Sequence, residues 1–212
     1  MAGKSCIAGF DLSETEDFTS ACLEFDLSDG RVFVLSKSWI PRKKVDRDNE
    51  GIGYNEFIEM GTLEVCEGEY VDYQKVYDWF VDMSQKYSID LITYDRANAF
   101  KLVHQLKEAG FQTLMVRQGH ETLNPAMKDV RELLLDGHVV FNNDPLFRWY
   151  MNNVKLVRDR NSNWVPTKLG RYRKIDGFAA FLNAHTEMLK RMVIPTPTGK
   201  VEFVSINELL RG

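Results

Sequence analysis

The sequence predicts an α/β sandwich on a mixed sheet, with three antiparallel strands first, parallel strands after them, and helices on both sides. Three observations predict it. The chain opens with three strand-like segments, the second and third separated by a hairpin signal, Ser28-Asp29-Gly30. Helical and strand-like segments then alternate. A long segment of helical apolar period closes the order, from about residue 175 to 191.

Each element has a local reason. Residues 5–11 (SCIAGFD) form a nearly continuous apolar run, the mark of a strand covered on both faces. Residues 18–26 and 31–40 alternate as the second and third strands. Residues 41–69 are mixed and polar, with a short helix over Tyr54–Met60 ended by Gly61. Residues 72–87 place Val76, Trp79, Phe80 and Met83 at helical spacing, with Asp72 as N-cap. A buried-type strand over 89–94 stops at Asp95, and a helix over 97–109 is closed by Gly110. A strand over 111–117, a helix over 122–136 closed by Gly137, and a short strand over 138–142 follow. Asn142-Asn143-Asp144-Pro145 caps a helix over 144–153, with proline in its first turn. Residues 154–165 read as a hairpin turning at Arg160–Asn163. Trp79, Phe80, Trp149, Phe178 and Phe181 read as core. Residues 1–192 read as one domain and 193–212 as a tail of little periodicity, loosely ordered or docked.

Composition narrows the class. With 212 residues and 44% hydrophobic content the chain can bury one sizeable core. The formal net charge of −4 excludes a protein that binds nucleic acid through its overall charge, so any DNA contact must be local. Cys6, Cys22 and Cys66 form no CxxC pair, which argues against a disulfide framework or a thiolate zinc site and fits a reducing cytoplasm. The histidines (His104, His120, His138, His185) have no ligand spacing and read as surface or packing residues. No apolar run approaches the roughly 20 residues of a membrane span. The opening MAGKSCIAGF carries no signal-peptide pattern and reads as a start set just ahead of a first strand, so a natural protein continuing upstream is expected.

Three aspartates occupy special places: Asp11 ends the first strand, Asp95 ends the fourth, and Asp176 opens the last helix. Ligands of open α/β sheets gather at strand ends and helix starts. If the first and fourth strands are neighbours, Asp11 and Asp95 lie side by side, and the helix start brings a third carboxylate over them. Such a cluster repels itself until divalent cations relieve it, and hard oxygen donors select magnesium or manganese over zinc. Two such ions about 4 Å apart serve phosphodiester hydrolysis. Each aspartate alone also fits a plain turn or cap.

The ordered set carries a resemblance. GFDLS with Asp17-Phe18-Thr19 and a meander resembles the first strand of ribonuclease H-like nucleases. YDRANA and KIDGFAA resemble the second and third acidic motifs of phage large terminase nuclease domains. The intervening QGHETLNPAMKDVRELLLDGHVVFNNDPLFRWYMNN is similar to that family's linking segment. The resemblance covers about residues 5 to 190. It implies a ribonuclease H-like mixed sheet and a metal-dependent endonuclease that cuts double-stranded concatemeric viral DNA during packaging in the host cytoplasm. It also implies a metal triad of Asp11, Asp95 and Asp176 holding two magnesium or manganese ions, with Asp17 as a candidate fourth acid. The implied partners are double-stranded DNA, the terminase small subunit, the portal and an ATPase motor domain. The chain has no GxxxxGK[ST] loop, so the motor itself is absent from it.

Residues 155–174 hold seven positive side chains, Lys155, Arg158, Arg160, Lys168, Arg171, Arg173 and Lys174, against the single acid Asp159. A cationic hairpin leading into Asp176 suits a DNA-binding surface, with Trp164 to stack or pack. Arg42-Lys43-Lys44 reads as a plain surface run. No base-reading motif is present, so cleavage of weak sequence selectivity is expected. Competing readings are a Holliday-junction resolvase or transposase-like nuclease, a catalytically inert DNA-docking module, and an actin-like ATPase suggested by GFDLSET. The last would need a second glycine-rich phosphate loop that the sequence lacks.

Overall fold

A computed structural model of the chain describes residues 1–15, 17–48 and 51–193. The chain begins with β1 (Ser5–Asp11), β2 (Thr19–Asp26) and β3 (Val32–Pro41), then α1 (Arg42–Arg47), α2 (Tyr54–Glu59) and β4 (Leu63–Cys66). Next come α3 (Tyr73–Ser84), β5 (Ser88–Tyr94), α4 (Phe100–Glu108), β6 (Thr113–Met115), α5 (His120–Leu135) and β7 (Val139–Val140). The chain continues with α6 (Pro145–Asn153), the hairpin β8 (Val154–Arg158) and β9 (Trp164–Lys168), and α7 (Asp176–Val193).

Seven strands form one sheet in the order β4-β3-β2-β1-β5-β6, with β7 also on β3. The β1–β2 and β2–β3 pairs are antiparallel, whereas β5 lies parallel to β1 and β6 parallel to β5. The expected meander followed by parallel strands is therefore present, and the fourth strand of the sequence reading is the direct neighbour of the first. Two cores cover the sheet. Phe147, Tyr150, Phe178 and Phe181 pack with Ile7 and Cys22 on one face; Phe10, Phe25, Trp39, Phe80 and Leu102 pack on the other. Trp79 and Trp149 lie partly buried against them. Burying about 25 cal/mol per Å² of apolar surface on both faces makes the sheet the rigid platform of the molecule. The thiols of Cys6, Cys22 and Cys66 are buried and free.

The caps behave as expected. The Asp72 carboxylate accepts from the Gln74 amide at 3.0 Å, and Asp144 accepts from Leu146 and Phe147 at 2.9 and 3.1 Å ahead of Pro145. The turn of the β8–β9 hairpin is organised by Asp159, whose Oδ1 accepts from Asn161 and Asn163 at 2.8 Å each. Three sequence expectations need correction. Strand β4 and helix α1 sit in a stretch expected to hold only the helix over Tyr54–Met60. The expected strands over 111–117 and 138–142 shrink to three and two paired residues. The Arg42-Lys43-Lys44 run is no plain surface: it starts α1, Lys44 is buried, and Arg42 and Lys43 pair with Glu67 and Glu69. The expected tail, 193–212, lies outside the described residues apart from Val193, the last residue of α7. Among the described residues no helix is long and apolar enough to cross a membrane.

Candidate metal centre

Residues of a strand alternate between faces, so Ile7, Gly9 and Asp11 of β1 share the face on which α7 packs. Gly9 makes that packing tight: a Cβ at this position would lie 2.2 Å from the Ala180 carbonyl oxygen and 2.8 Å from the Ala184 amide nitrogen. Helix α7 runs antiparallel to β1, with Ala180 over Gly9 and, at the far end, Arg191 at 2.8 Å from Asp90 beside Ser5. Four helical residues advance about 6 Å, and two strand residues advance about 6.6 Å. One turn before Ala180 is Asp176, and two residues beyond Gly9 is Asp11, so the helix start is set over the strand end. In the β1–β5 register Phe10 lies opposite Tyr94, which makes Asp95 the neighbour of Asp11 on the same face.

The surrounding hydrogen bonds hold this arrangement. Asn183 donates to the Phe10 carbonyl at 3.1 Å and accepts from Gln118 at 2.9 Å. Thr93 donates to the Ala8 carbonyl at 2.8 Å, tying β5 to β1 below the two aspartates. Gly177 lies flat against the Tyr150 ring, where a Cβ would approach within 2.3 Å.

Electrostatics marks the cluster. Burial, then the neighbouring Asp95 and Asp17 charges, push the Asp11 carboxyl up to about 7, against the pull of Lys168 and the Leu12 amide. Burial, then Asp11 and Asp17, drive Asp176 well above the ordinary carboxylate range. Asp176 is 6% exposed, and among the described residues its buried Oδ2 has no hydrogen-bond partner. Asp17 behaves oppositely. Burial would raise it, but Lys174 and Lys168 outweigh burial and hold it below the usual range. Lys168 Nζ lies 3.0 Å from Asp17 Oδ2, and Lys174 Nζ donates to Oδ1. The structure thus brings Asp11, Asp95, Asp176 and Asp17 into one electrostatic neighbourhood.

The seven basic residues divide in two. Lys168 and Lys174 are engaged by Asp17, and Lys174 is buried. Lys155, Arg158, Arg160, Arg171 and Arg173 are exposed. Trp164 packs: the Arg158 guanidinium lies over its ring at 4.6 Å, Arg131 at 5.6 Å, and its amide donates to Asn124 at 3.0 Å. His120 pairs with Asp159 at 2.6 Å, which ties the hairpin to the start of α5.

Residues 1–191 match the family model described as the terminase large subunit, endonuclease domain. The chain belongs to this terminase nuclease family. Among curated proteins it is 24% identical to Protein YmfN of Escherichia coli (strain K12) over 195 residues, covering 86% of this chain and 43% of that one. It is 24% identical to the terminase large subunit of Enterobacteria phage HK97 over 177 residues, covering 82% of this chain and 35% of that one. The terminase domain described here therefore spans about two fifths of the length of these relatives. The HK97 large terminase crystal structure superposes with a TM-score of 0.77 at 22% identity, over 87% of this chain and 39% of that one. The large terminase nuclease of thermophilic phage G20c with bound magnesium gives 0.56 at 13% identity, over 88% and 84%. The SPP1 nuclease domain with bound Mn gives 0.54 at 12%, over 87% of each chain. The ribonuclease H-like fold read from the sequence is the one these terminase nucleases share.

The terminase cluster offers oxygen donors alone, the set hard divalent cations take. Among the described residues no three His, Cys, Asp or Glu side chains are grouped closely enough to hold a metal ion. The orphaned Asp176 Oδ2, buried beside Asp11, nevertheless fits a cation: a buried carboxylate oxygen is costly until something positive or hydrogen-bonding meets it. The sequence reading missed the Asp17–Lys168–Lys174 latch, because its partners stand 151 and 157 residues apart. It also missed Asn183, a buried amide that no local pattern distinguishes from an ordinary helix residue.

Proposed function

We propose that this chain is a divalent-cation-dependent endonuclease that cuts double-stranded DNA during viral genome packaging. The observation that carries the reading is the placement of Asp176 over Asp11, beside Asp95, with a partnerless buried oxygen in a family of terminase nucleases. Asp11, Asp95 and Asp176 would hold the cations, magnesium or manganese, and the magnesium- and Mn-bound relatives support that choice. Two such ions, when bound, supply an activated water and stabilise the leaving oxygen of the phosphodiester.

The remaining work falls to this chain's own residues. Asp17 would serve as an outer acid, with Lys168 and Lys174 holding it at the rim of the cluster. Exposed Lys155, Arg158, Arg160, Arg171 and Arg173 would hold the DNA backbone without reading its sequence. Site choice would come from partners: the terminase small subunit, the portal and the ATPase motor of a longer protein, acting in the host cytoplasm.

The test is incubation of supercoiled plasmid with wild type and Asp95→Asn in EDTA, magnesium and manganese. Nicking and linearisation should require a cation and vanish in the variant. A folded wild type that binds DNA yet cleaves with neither metal would replace the nuclease with a docking module.

A further inference from the structure

We propose that the pocket at the end of β5, between β5, β6 and α4, binds one unpaired nucleobase of DNA. Its ligand class rests on the DNA-cutting reading above. The pocket is a cavity of about 400 Å³, within the roughly 300–1,000 Å³ of small-molecule sites. Tyr94, Val103 and Met115 form its apolar wall, and Tyr94 is held rigid by stacking on buried Phe10 at 5.4 Å and 10°. Phe100 stands at the rim, 87% exposed, more than any other large hydrophobic side chain among the described residues. A planar apolar group held that far into water is costly unless something covers it.

The charges choose the occupant. Arg96 and Lys107 also line the pocket, and among the described residues neither side chain makes an ion pair or hydrogen bond. His104, the third basic group, lies 3.3 Å from Glu108, so one acid stands at this rim as well. Two unpaired cations around a flat apolar slot suit an aromatic heterocycle carried on a phosphate backbone. A duplex hides the faces of its bases in the stack, so only an unpaired base can enter. Tyr94 and Arg96 flank Asp95 in sequence and, by strand alternation, face away from it, so a captured base would lie across the sheet end from the aspartates. The pocket lies on the β5–α4 side, apart from the basic hairpin.

Binding of a labelled oligothymidylate and of a blunt duplex in EDTA, followed by fluorescence anisotropy across salt concentrations, tests the assignment. Base–aromatic stacking predicts that Phe100→Ala weakens the single strand about tenfold at an unchanged salt slope, and that Phe100→Trp restores it. Lys107→Gln should instead lower the slope by about 0.7, as loss of one phosphate contact does on a single strand. Because Phe100 is 87% exposed, the variant should melt close to where wild type does. Unchanged single-strand binding in Phe100→Ala overturns the proposal and leaves the face to a protein partner. Equal losses on duplex and single strand also overturn it, as does a wild type that does not bind the oligonucleotide. Plasmid cleavage by wild type decides the nuclease reading separately. A cleaving protein with an indifferent Phe100 loses only the pocket, and a non-cleaving one with a sensitive Phe100 loses only the nuclease.

Discussion

Burial first, then neighbouring carboxylates, raise both acids: Asp95 and Asp17 act on Asp11, and Asp11 and Asp17 act on Asp176. Such a cluster costs the metal-free protein stability, so removing one charge should relieve it. Asp11→Asn is expected to raise the melting temperature in EDTA by several degrees, at roughly 2–4 °C per kcal/mol for a domain of this size, while abolishing cleavage. Magnesium should stabilise the wild type by about 2.7 kcal/mol at a hundredfold excess over Kd, raising its midpoint, and leave the variant unmoved. Calorimetry with and without the ion checks both; a variant less stable than wild type in EDTA would make Asp11 a structural residue. His185 offers a contrast away from the cluster. It is buried between Glu24 at 2.6 Å and Asp129 at 2.8 Å. Burial alone would discharge its ring, but the two carboxylates outweigh burial and lift it from 6.5 to about 9. A raised histidine stabilises the fold fully below pH 6.5 and loses that contribution as pH rises through 9, on the order of 3 kcal/mol. Urea midpoints of wild type should fall across that window, and those of His185→Asn should not.

Helix α7 and strand β1 together set the site, and Gly9 sets their spacing. Gly9→Ala would drive a methyl group into the Ala180 carbonyl and the Ala184 amide, backbone atoms that cannot rotate away. The expected cost is about 3 kcal/mol, the upper end of overpacking. Cleavage should drop further than the folded fraction does, because lifting α7 carries Asp176 off Asp11. Activity measured well below the variant's melting point separates the two; activity that follows the folded fraction alone would show that the α7 spacing does not matter. At this scale much was legible. The apolar run of β1, the Asp72 and Asp144 caps, and the Gly110 and Gly137 stops each act within one or two turns of chain. Strand β4 was not legible, since four residues, Leu-Glu-Val-Cys, show strand character only once β3 offers its edge. Helix α1 was hidden for a similar reason: its cationic start reads as solvated until Glu67 and Glu69 arrive from the next strand's end.

At the scale of the whole molecule, an acidic protein must bind a polyanion through local surfaces rather than its overall charge. The three aspartates were legible because strand ends and a helix start are sequence features, and the β1–β5 adjacency needed one topological assumption. The latch on Asp17 and the exposure of Phe100 were not, because long-range pairing and burial exist only in the fold; at helical spacing Phe100 looks like one more core aromatic. The latch changes what the basic stretch can do. With Lys168 and Lys174 engaged by Asp17, the charge of this stretch left for phosphate lies on the hairpin and on the segment between β9 and α7, where Arg171 rests against exposed Tyr172 at 5.6 Å and Arg173 is exposed. Each phosphate contact contributes about 0.9 to the slope of log K against log salt on duplex DNA. The double substitution Arg171→Gln, Arg173→Gln should therefore flatten that slope by about 2 and weaken binding most at low salt, with the melting temperature unchanged because both side chains are exposed. Duplex titrations at several salt concentrations measure it. An unaltered slope would move the DNA off this segment and leave the hairpin's own Lys155, Arg158 and Arg160 as the remaining cations of that stretch able to hold it.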